Sequence, residues 1–259
     1  MYPASRSKLL RKIAALVADV IVVPAPDALR RAMALRIKKR SPDVFADLPN
    51  KPDKNWATVK LPARPIGFED LAPMFTCRRL NRGMARLDFD EAASLFRVIR
   101  QNRLSNGVEI GRFNGGSTLI ISVAMPSDGK MLSIDIAPQD DASLQTALNS
   151  IGNGHKIELR IADANSVEFS QKLDFAFIDG DHSYEGAKKD HLKWGDFVRK
   201  GGFIIHHDMG MGRPYSTQVP ILGHLMREIL QYQKNCLKLY EESASLVIFE
   251  KTSDSWNRF

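Results

Sequence analysis

The chain is poor in cysteine and has no long apolar run. Its 259 residues include two cysteines, Cys77 and Cys236, which are far apart and lack the spacing of metal ligands. A disulfide framework is therefore excluded, and a reducing compartment is indicated. No uncharged stretch is long enough to span a membrane, and repeats and low-complexity tracts are absent. We therefore expect a globular cytoplasmic protein.

Excess charge of one sign is absent from most of the chain. The net charge is +7, yet residues 1–60 hold 13 Lys/Arg against 5 Asp/Glu, which leaves −1 for the other 199 residues. The basic segment has no interleaved aromatic residues and no nucleic-acid motif. A nucleic-acid partner is therefore not expected.

Composition divides the chain into a basic helical extension with a linker, residues 1–65, and a main domain, residues 66–259. Leu9 to Val23 carry apolar residues at helical spacing, and a second basic helix is predicted up to Lys39. Asp19 interrupts the apolar stretch, which disfavours a cleaved signal peptide. Two alternatives stay open: a cap or homodimer arm, or a peripheral contact of residues 1–40 with an anionic membrane surface, which would make the protein membrane-associated.

Alternating strand and helix patterns fill the rest of the chain. Apolar runs with turn residues between them predict strands and helices in alternation from Asp88 onward, and a closing hairpin from Leu237 to Glu250. This order indicates an α/β fold: a doubly wound, mostly parallel seven-stranded sheet, preceded by the helical extension.

A glycine-rich turn between two of these strands indicates a nucleoside site. Gly111 allows a sharp turn after the strand, and Gly115 and Gly116 allow a ligand to approach the backbone as the next helix begins. Asp135 ends the following strand, where the hydroxyls of a ribose need an acceptor. Phe113 replaces the middle glycine of the dinucleotide motif, which argues against NAD.

The pattern E-x-G-x-x-x-G-G with a following carboxylate resembles class I S-adenosylmethionine (SAM) methyltransferases. The resemblance covers roughly Asp88 to Lys251 and implies a Rossmann-like fold that binds SAM. It implies that Glu109 steadies the loop, that Asp135 binds the ribose and that Asp163 meets the adenine. The other cofactor-binding positions that it implies are Gly111, Gly115, Gly116, Ser117 and Asp179.

Two later strands end in polar residues. Asp179 and His182 follow one strand, and His206, His207 and Asp208 end the next. Neighbouring parallel strands open at the same edge, so these groups are expected to form a divalent-cation site. His206 is predicted to be structural because side chains alternate along a strand. The following helix has Asp181 as a candidate cap, and His191 is predicted to lie at the surface.

These strand ends resemble a metal-dependent branch of methyltransferases that act on sugar hydroxyls, and its relatives named after cephalosporin biosynthesis. The resemblance implies that Asp179, His207 and Asp208 hold Mg²⁺ or Mn²⁺ and that His182 is the base, with Asp179 also counted as catalytic. The branch has an acid where this chain has His207, which suits Mn²⁺ better than Mg²⁺. The expected reaction is O-methylation of a small-molecule or saccharide acceptor.

Two other functions remain as alternatives. The histidines and aspartates could serve a metal-dependent oxygenase or hydrolase, although the chain lacks a helical H-x-x-x-H or facial-triad pattern. The chain could also be a non-catalytic subunit of the same fold that docks a partner or a membrane through its basic N-terminal segment.

Overall fold

The computed structural model describes residue 56 and residues 59–75, 84–210 and 219–259. The predicted N-terminal helices and Cys77 lie outside the described residues. The homodimer arm and the membrane contact of residues 1–40 therefore stay predictions. Within the described part, none of the helices combines the length and apolar character needed to cross a bilayer.

Five α-helices and two 3₁₀ segments are present in the described residues. The helix α1 begins after Asp88, whose backbone N–H donates to Glu91 in a capping box. Ser183 caps α4 by accepting a hydrogen bond from the Gly186 N–H, so the prediction that Asp181 is the cap is wrong. The helices are α1 (Phe89–Gln101), α2 (Gly116–Ala124), α3 (Asp141–Ser150), α4 (Tyr184–Phe197) and α5 (Val219–Tyr232), and the 3₁₀ segments are Phe68–Met74 and Gly154–Lys156.

Within the described ranges, seven strands form one sheet in the order β3-β2-β1-β4-β5-β7-β6. The strands from β1 to β5 are parallel, and β7 runs antiparallel to both β5 and β6. The predicted fold class and the closing hairpin are confirmed. The strands are β1 (Asn106–Ile110), β2 (Lys130–Asp135), β3 (Ile157–Ile161), β4 (Leu173–Ile178), β5 (Val198–His206), β6 (Leu237–Ser243) and β7 (Leu246–Lys251).

Helices cover both faces of the sheet. Phe175 and Phe177 of β4 point into the core formed with α1, α2 and α3. Ala176 and Ile178, which alternate with them, pack with α4 and α5 on the opposite face. A fully apolar strand such as β4 is required here because both of its faces are buried.

Part of the predicted linker packs on this domain. Trp56 is buried, and Val59 and Leu61 are partly buried against the core that contains α1, α2 and α3. The predicted boundary at residue 65 stays a prediction, but these three side chains give the preceding segment a defined contact with the fold.

His191 is fully buried, so its predicted surface position is wrong. Its Nε2 donates to Gln233 Oε1 at 2.6 Å, and its Nδ1 lies 2.9 Å from Nε2 of the buried His206. Burial lowers the pKa of His191 to about 4, which keeps it neutral. His191 lies one helical turn from the buried Ala187 and Trp194, so the helix period places it on the inner face. The structural role predicted for His206 is confirmed.

Gly111 follows the strand at which the strand order of the sheet reverses. The strand β1 lies between β2 and β4, and Gly111 follows it with a φ of +84°. A Cβ atom at this position would lie 2.2 Å from the backbone oxygen of Asp179. Both the backbone conformation and the close contact therefore require glycine.

We expect Gly111→Ala to destabilise the protein far more than Gly152→Ala. Gly152 has a φ of +78°, and a Cβ atom there would have no neighbouring atom within 4 Å, so its substitution costs only the backbone strain, about 1–2 kcal/mol. Gly111→Ala adds overlap with backbone atoms, for about 2–3 kcal/mol more. Urea unfolding measures both, and equal losses would contradict the close contact.

Candidate functional site

The candidate site lies at the carboxyl ends of β1, β2, β4 and β5. It has two parts: the cofactor loop, residues 111–115, and the carboxylate cluster of Asp179, His182 and Asp208. The two parts meet because β1 and β4 are neighbours in the sheet. Ligands of doubly wound folds bind in the crevice at this kind of strand-order reversal.

Asp135 holds the cofactor loop through the backbone. Its Oδ2 accepts hydrogen bonds from the N–H groups of Arg112 at 3.0 Å and Phe113 at 2.8 Å, and its Oδ1 accepts one from Ala137 at 3.0 Å. A carboxylate offers about four acceptor positions. These three bonds therefore fix the side chain and still leave capacity for a ligand hydroxyl.

Glu109 holds the start of α2 against the sheet. The side chain is fully buried and accepts hydrogen bonds from the hydroxyls of Ser117, Thr118 and Ser133 at 2.5–2.6 Å. Burial raises the pKa of Glu109, although the three hydroxyl bonds oppose this effect. Glu109 and Ser117, both predicted at the cofactor, thus bind each other beneath the loop.

Arg112 ties the loop to α3, which the sequence did not reveal. Its buried guanidinium makes a two-pronged ion pair with Asp141, with Nε at 2.9 Å and Nη2 at 2.8 Å from the carboxylate oxygens. Nη1 also donates to the backbone oxygen of Ser133 at 2.9 Å. This planar, paired geometry is specific to arginine.

The two later glycines of the motif have protein neighbours. A Cβ at Gly115 would lie 2.3 Å from the Leu144 side chain, and one at Gly116 would lie 2.4 Å from the Met84 oxygen. The segment before α1 therefore packs directly on the start of α2. These contacts account for both glycines, and a close ligand approach there stays a prediction.

The loop also presents features that fit a nucleoside-type ligand. The Nδ2 atom of Asn114 is buried and has no hydrogen-bond partner among the residues that the structure describes. An unpaired buried donor is costly, and a ligand acceptor would satisfy it. Ile136 is 77% exposed beside Asp135 and offers an apolar surface. Asp163 is exposed at the same edge and accepts a hydrogen bond from the Asn165 N–H at 2.9 Å.

In the carboxylate cluster, His182 lies between two carboxylates. Its Nε2 is 3.3 Å from Asp179 Oδ1 and 3.3 Å from Asp208 Oδ2. The hydrogen bonds to Asp179 and Asp208 raise the pKa of His182 to about 9. One atom from each residue lies within 4.8 Å of the others, a spacing that fits a cation. Carboxylate oxygens suit Mg²⁺, and an added imidazole favours Mn²⁺.

His207 uses both ring nitrogens for protein contacts. Its Nδ1 lies 3.1 Å from Asp179 Oδ1 and its Nε2 lies 3.2 Å from Glu91 Oε2. Burial opposes the charged form, but these carboxylates raise the pKa of His207 well above its ordinary value. Among the described residues, the group with converging ligand atoms contains His182 in place of the predicted His207.

Glu91 anchors His207 and was missed as a site residue. The buried carboxylate accepts bonds from Ser245 N at 2.9 Å, Ser245 Oγ at 2.5 Å and Asp88 N at 2.7 Å, besides His207. Burial works to raise the pKa of Glu91, but the His207 contact and these bonds outweigh it and lower the pKa to about 2. In the sequence, the Asp88-x-x-Glu91 pattern indicates only a helix cap.

We expect Glu91→Gln to destabilise the protein by about 3–5 kcal/mol, because it leaves a buried imidazolium without one of its anions. Glu241→Gln is the matched control: its carboxylate pairs with the half-exposed Arg97, and an exposed pair contributes about 0–1 kcal/mol. Thermal unfolding compares the two variants. Similar losses for both would show that the pair of Glu91 and His207 does not stabilise the fold.

Comparisons with known proteins agree with this geometry. Residues 108–209 match a family model described as a methyltransferase domain. Caffeoyl-CoA O-methyltransferase 2 of Petunia hybrida is 31% identical over 123 residues, which are 44% of this chain and 50% of that protein. Tricin synthase 1 of Oryza sativa subsp. japonica is 28% identical over 160 residues, 58% of this chain and 62% of that protein. The chain thus spans about half the length of the first of these relatives.

Solved structures share the fold at low sequence identity. The O-methyltransferase TomG from Streptomyces achromogenes, in complex with SAM, superposes with a TM-score of 0.53 at 15% identity and covers 66% of this chain and 83% of TomG. An O-methyltransferase from Bacillus cereus in complex with SAH gives a TM-score of 0.50 at 15% identity, over 93% of this chain and 97% of that one. These similarities establish the fold.

Proposed function

We propose that the protein is a SAM-dependent O-methyltransferase that transfers a methyl group to a hydroxyl of a small molecule, with help from a divalent cation. The observation that carries the proposal is the extent of the methyltransferase-domain match. Residues 108–209 include the cofactor loop, Asp135 and every member of the carboxylate cluster. The match therefore contains both halves of the site.

The cofactor loop and its neighbours supply groups for each part of SAM. Asp135 retains acceptor capacity for the ribose hydroxyls. The exposed Ile136 offers a surface for the purine, and Asp163 lies at the same edge. Asn114 provides a buried donor for an acceptor such as the methionine carboxylate. When bound, SAM supplies an electrophilic methyl group on a sulfonium.

The carboxylate cluster supplies the means to activate a hydroxyl. Asp179 and Asp208 would hold a divalent cation, which would lower the pKa of the acceptor hydroxyl. His207 and Glu91 orient Asp179 from the buried side. His182 is the proposed base, and its side chain is 35% exposed. Without a cation, Asp179 and Asp208 raise the pKa of His182 to about 9 and keep it protonated. A cation held by these two carboxylates would remove that effect, and the neutral imidazole would then accept the acceptor's proton instead of serving as a third ligand. Together with a bound cation, these residues would hold the acceptor oxygen close to the methyl group that SAM supplies.

Two classes of acceptor are candidates for this reaction. The relatives named for caffeoyl-CoA and tricin favour a small aromatic hydroxyl compound, whereas the sequence resemblance favours a saccharide. An oxygenase with two histidines and one carboxylate has less support, because His207 lies outside the converging group of the described residues. A screen of catechols, flavonoids and sugars with labelled SAM distinguishes the acceptors.

We expect Asp135→Ala to weaken SAH binding by about 10–100-fold, because the ribose hydroxyls lose an acceptor and the loop loses its backbone ties. Asp174→Ala is the matched control. One oxygen of Asp174 also accepts two backbone N–H bonds, from Ser105 and Asn106, but at the opposite edge of the sheet. Calorimetry measures SAH affinity. Unchanged affinity in Asp135→Ala would contradict the cofactor assignment.

We expect EDTA to abolish methyl transfer and Mn²⁺ or Mg²⁺ to restore it, while SAH binding persists. Electron paramagnetic resonance of added Mn²⁺ tests the site without an acceptor. Asp208→Asn should weaken Mn²⁺ binding by about tenfold or more, since a cation loses an anionic ligand. Asp181→Asn is the control, and we expect it to leave Mn²⁺ binding unchanged. Asp181 is a nearby aspartate that accepts a hydrogen bond from the Ser183 N–H and is not a member of the carboxylate cluster. A rate of methyl transfer that is unchanged by EDTA would remove the cation from the proposal.

A further inference from the structure

The cofactor loop is conformationally unfavourable and needs support from outside. Three of its five residues have positive φ angles: Gly111 at 84°, Phe113 at 46° and Gly115 at 78°. The two glycines adopt these angles at no steric cost, but Phe113 is strained there, and a strained residue persists only where surrounding contacts fix it. Asp135 supplies two of these contacts, to the N–H groups of Arg112 and Phe113.

Trp56 supplies a contact at the other end of the loop. Its indole Nε1–H donates to the backbone oxygen of Asn114 at 3.0 Å, across 58 residues of sequence. The ring is 6% exposed and belongs to the core that includes Leu144, the neighbour of Gly115. Trp56 thus precedes the methyltransferase-domain match, yet it holds the loop inside that match.

Asn114, the residue that Trp56 holds, also carries the unpaired buried amide. The Nδ2 atom has no acceptor among the described residues. The backbone bond from Trp56 fixes the position of Asn114 and therefore the position from which this amide can donate. An unsatisfied donor at a fixed place in a ligand-binding loop is costly unless a ligand completes it.

We propose that Trp56 is a positioning residue for the cofactor: it fixes Asn114, whose side-chain amide donates a hydrogen bond to bound SAM. The segment before the catalytic fold thereby contributes to cofactor affinity. This inference rests on the proposed function, because it takes SAM as the ligand of the loop.

Trp56→Phe in the full 259-residue chain removes the N–H donor and keeps an aromatic ring in the core. We expect SAH affinity, measured by calorimetry, to fall about threefold to tenfold, the effect of one lost hydrogen bond. Trp256→Phe is the matched control, because its indole also donates to a backbone oxygen, that of Leu192 at 2.9 Å, on the opposite face of the sheet. Its SAH affinity should match that of the unchanged protein.

Asn114→Ala tests the second step. We expect it to weaken SAH binding, and we expect the double variant Trp56→Phe/Asn114→Ala to bind little more weakly than Asn114→Ala alone, because both changes remove one interaction. Additive losses would overturn the claim that Trp56 acts through Asn114.

A spectroscopic measurement separates positioning from general stability. The chain has three tryptophans, so ¹⁵N-indole spectra give three signals, and Trp56→Phe identifies that of Trp56. We expect saturating SAH to shift the Trp56 signal and to leave that of Trp256 unchanged. The inference is overturned, and the proposed function stands, if the unchanged protein binds SAH but two results are negative. These are a Trp56 signal that does not shift on SAH addition and a Trp56→Phe variant that binds SAH as tightly as the unchanged protein. If the unchanged protein does not bind SAH, the proposed function fails and the inference fails with it.

Discussion

The reversal of strand order at β1 is the constraint on which the site depends. Because β1 lies between β2 and β4, its glycine turn is flanked by the strand that ends in Asp135 and the strand that leads into Asp179. Gly111 packs so closely on the Asp179 backbone that a Cβ atom would lie 2.2 Å from its oxygen. The cofactor loop and the carboxylate cluster are therefore two sides of one crevice. Because their backbones are in contact, a displacement of one side would displace the other.

Two buried carboxylates stabilise the two sides of this crevice by different electrostatic means. Glu109 is hydrogen-bonded to neutral hydroxyl groups, and burial outweighs both these bonds and the charge of Arg112, so its pKa is raised. Glu91 faces an imidazolium, so its pKa is lowered despite burial. Each carboxylate is tolerated because its hydrogen bonds replace the water it has lost. Glu109 holds the cofactor loop on the sheet, and Glu91 holds His207 against Asp179.

The pair of Glu91 and His207 gives a physical account of the departure from the resembled metal-dependent branch. That branch has an acid at the position of His207, whereas this chain brings a buried acid from α1 and places the histidine between it and Asp179. The acid of this chain, Glu91, therefore lies behind His207 and is separated from Asp179 by the imidazole ring. Groups that precede the methyltransferase-domain match, Trp56 and Glu91, consequently support both sides of the site.

The sequence by itself determined what depends on local pattern. Helix and strand periods predicted the sheet and its closing hairpin, and the glycine spacing and strand-end carboxylates predicted where Asp135, Asp179 and Asp208 would lie. Only the tertiary structure decided which side chains meet across the chain. The contact of Glu91 with His207 joins residues 116 positions apart, and that of Trp56 with Asn114 joins residues 58 apart. No period or motif encodes such pairs, because they arise from the packing of whole helices and segments on the sheet.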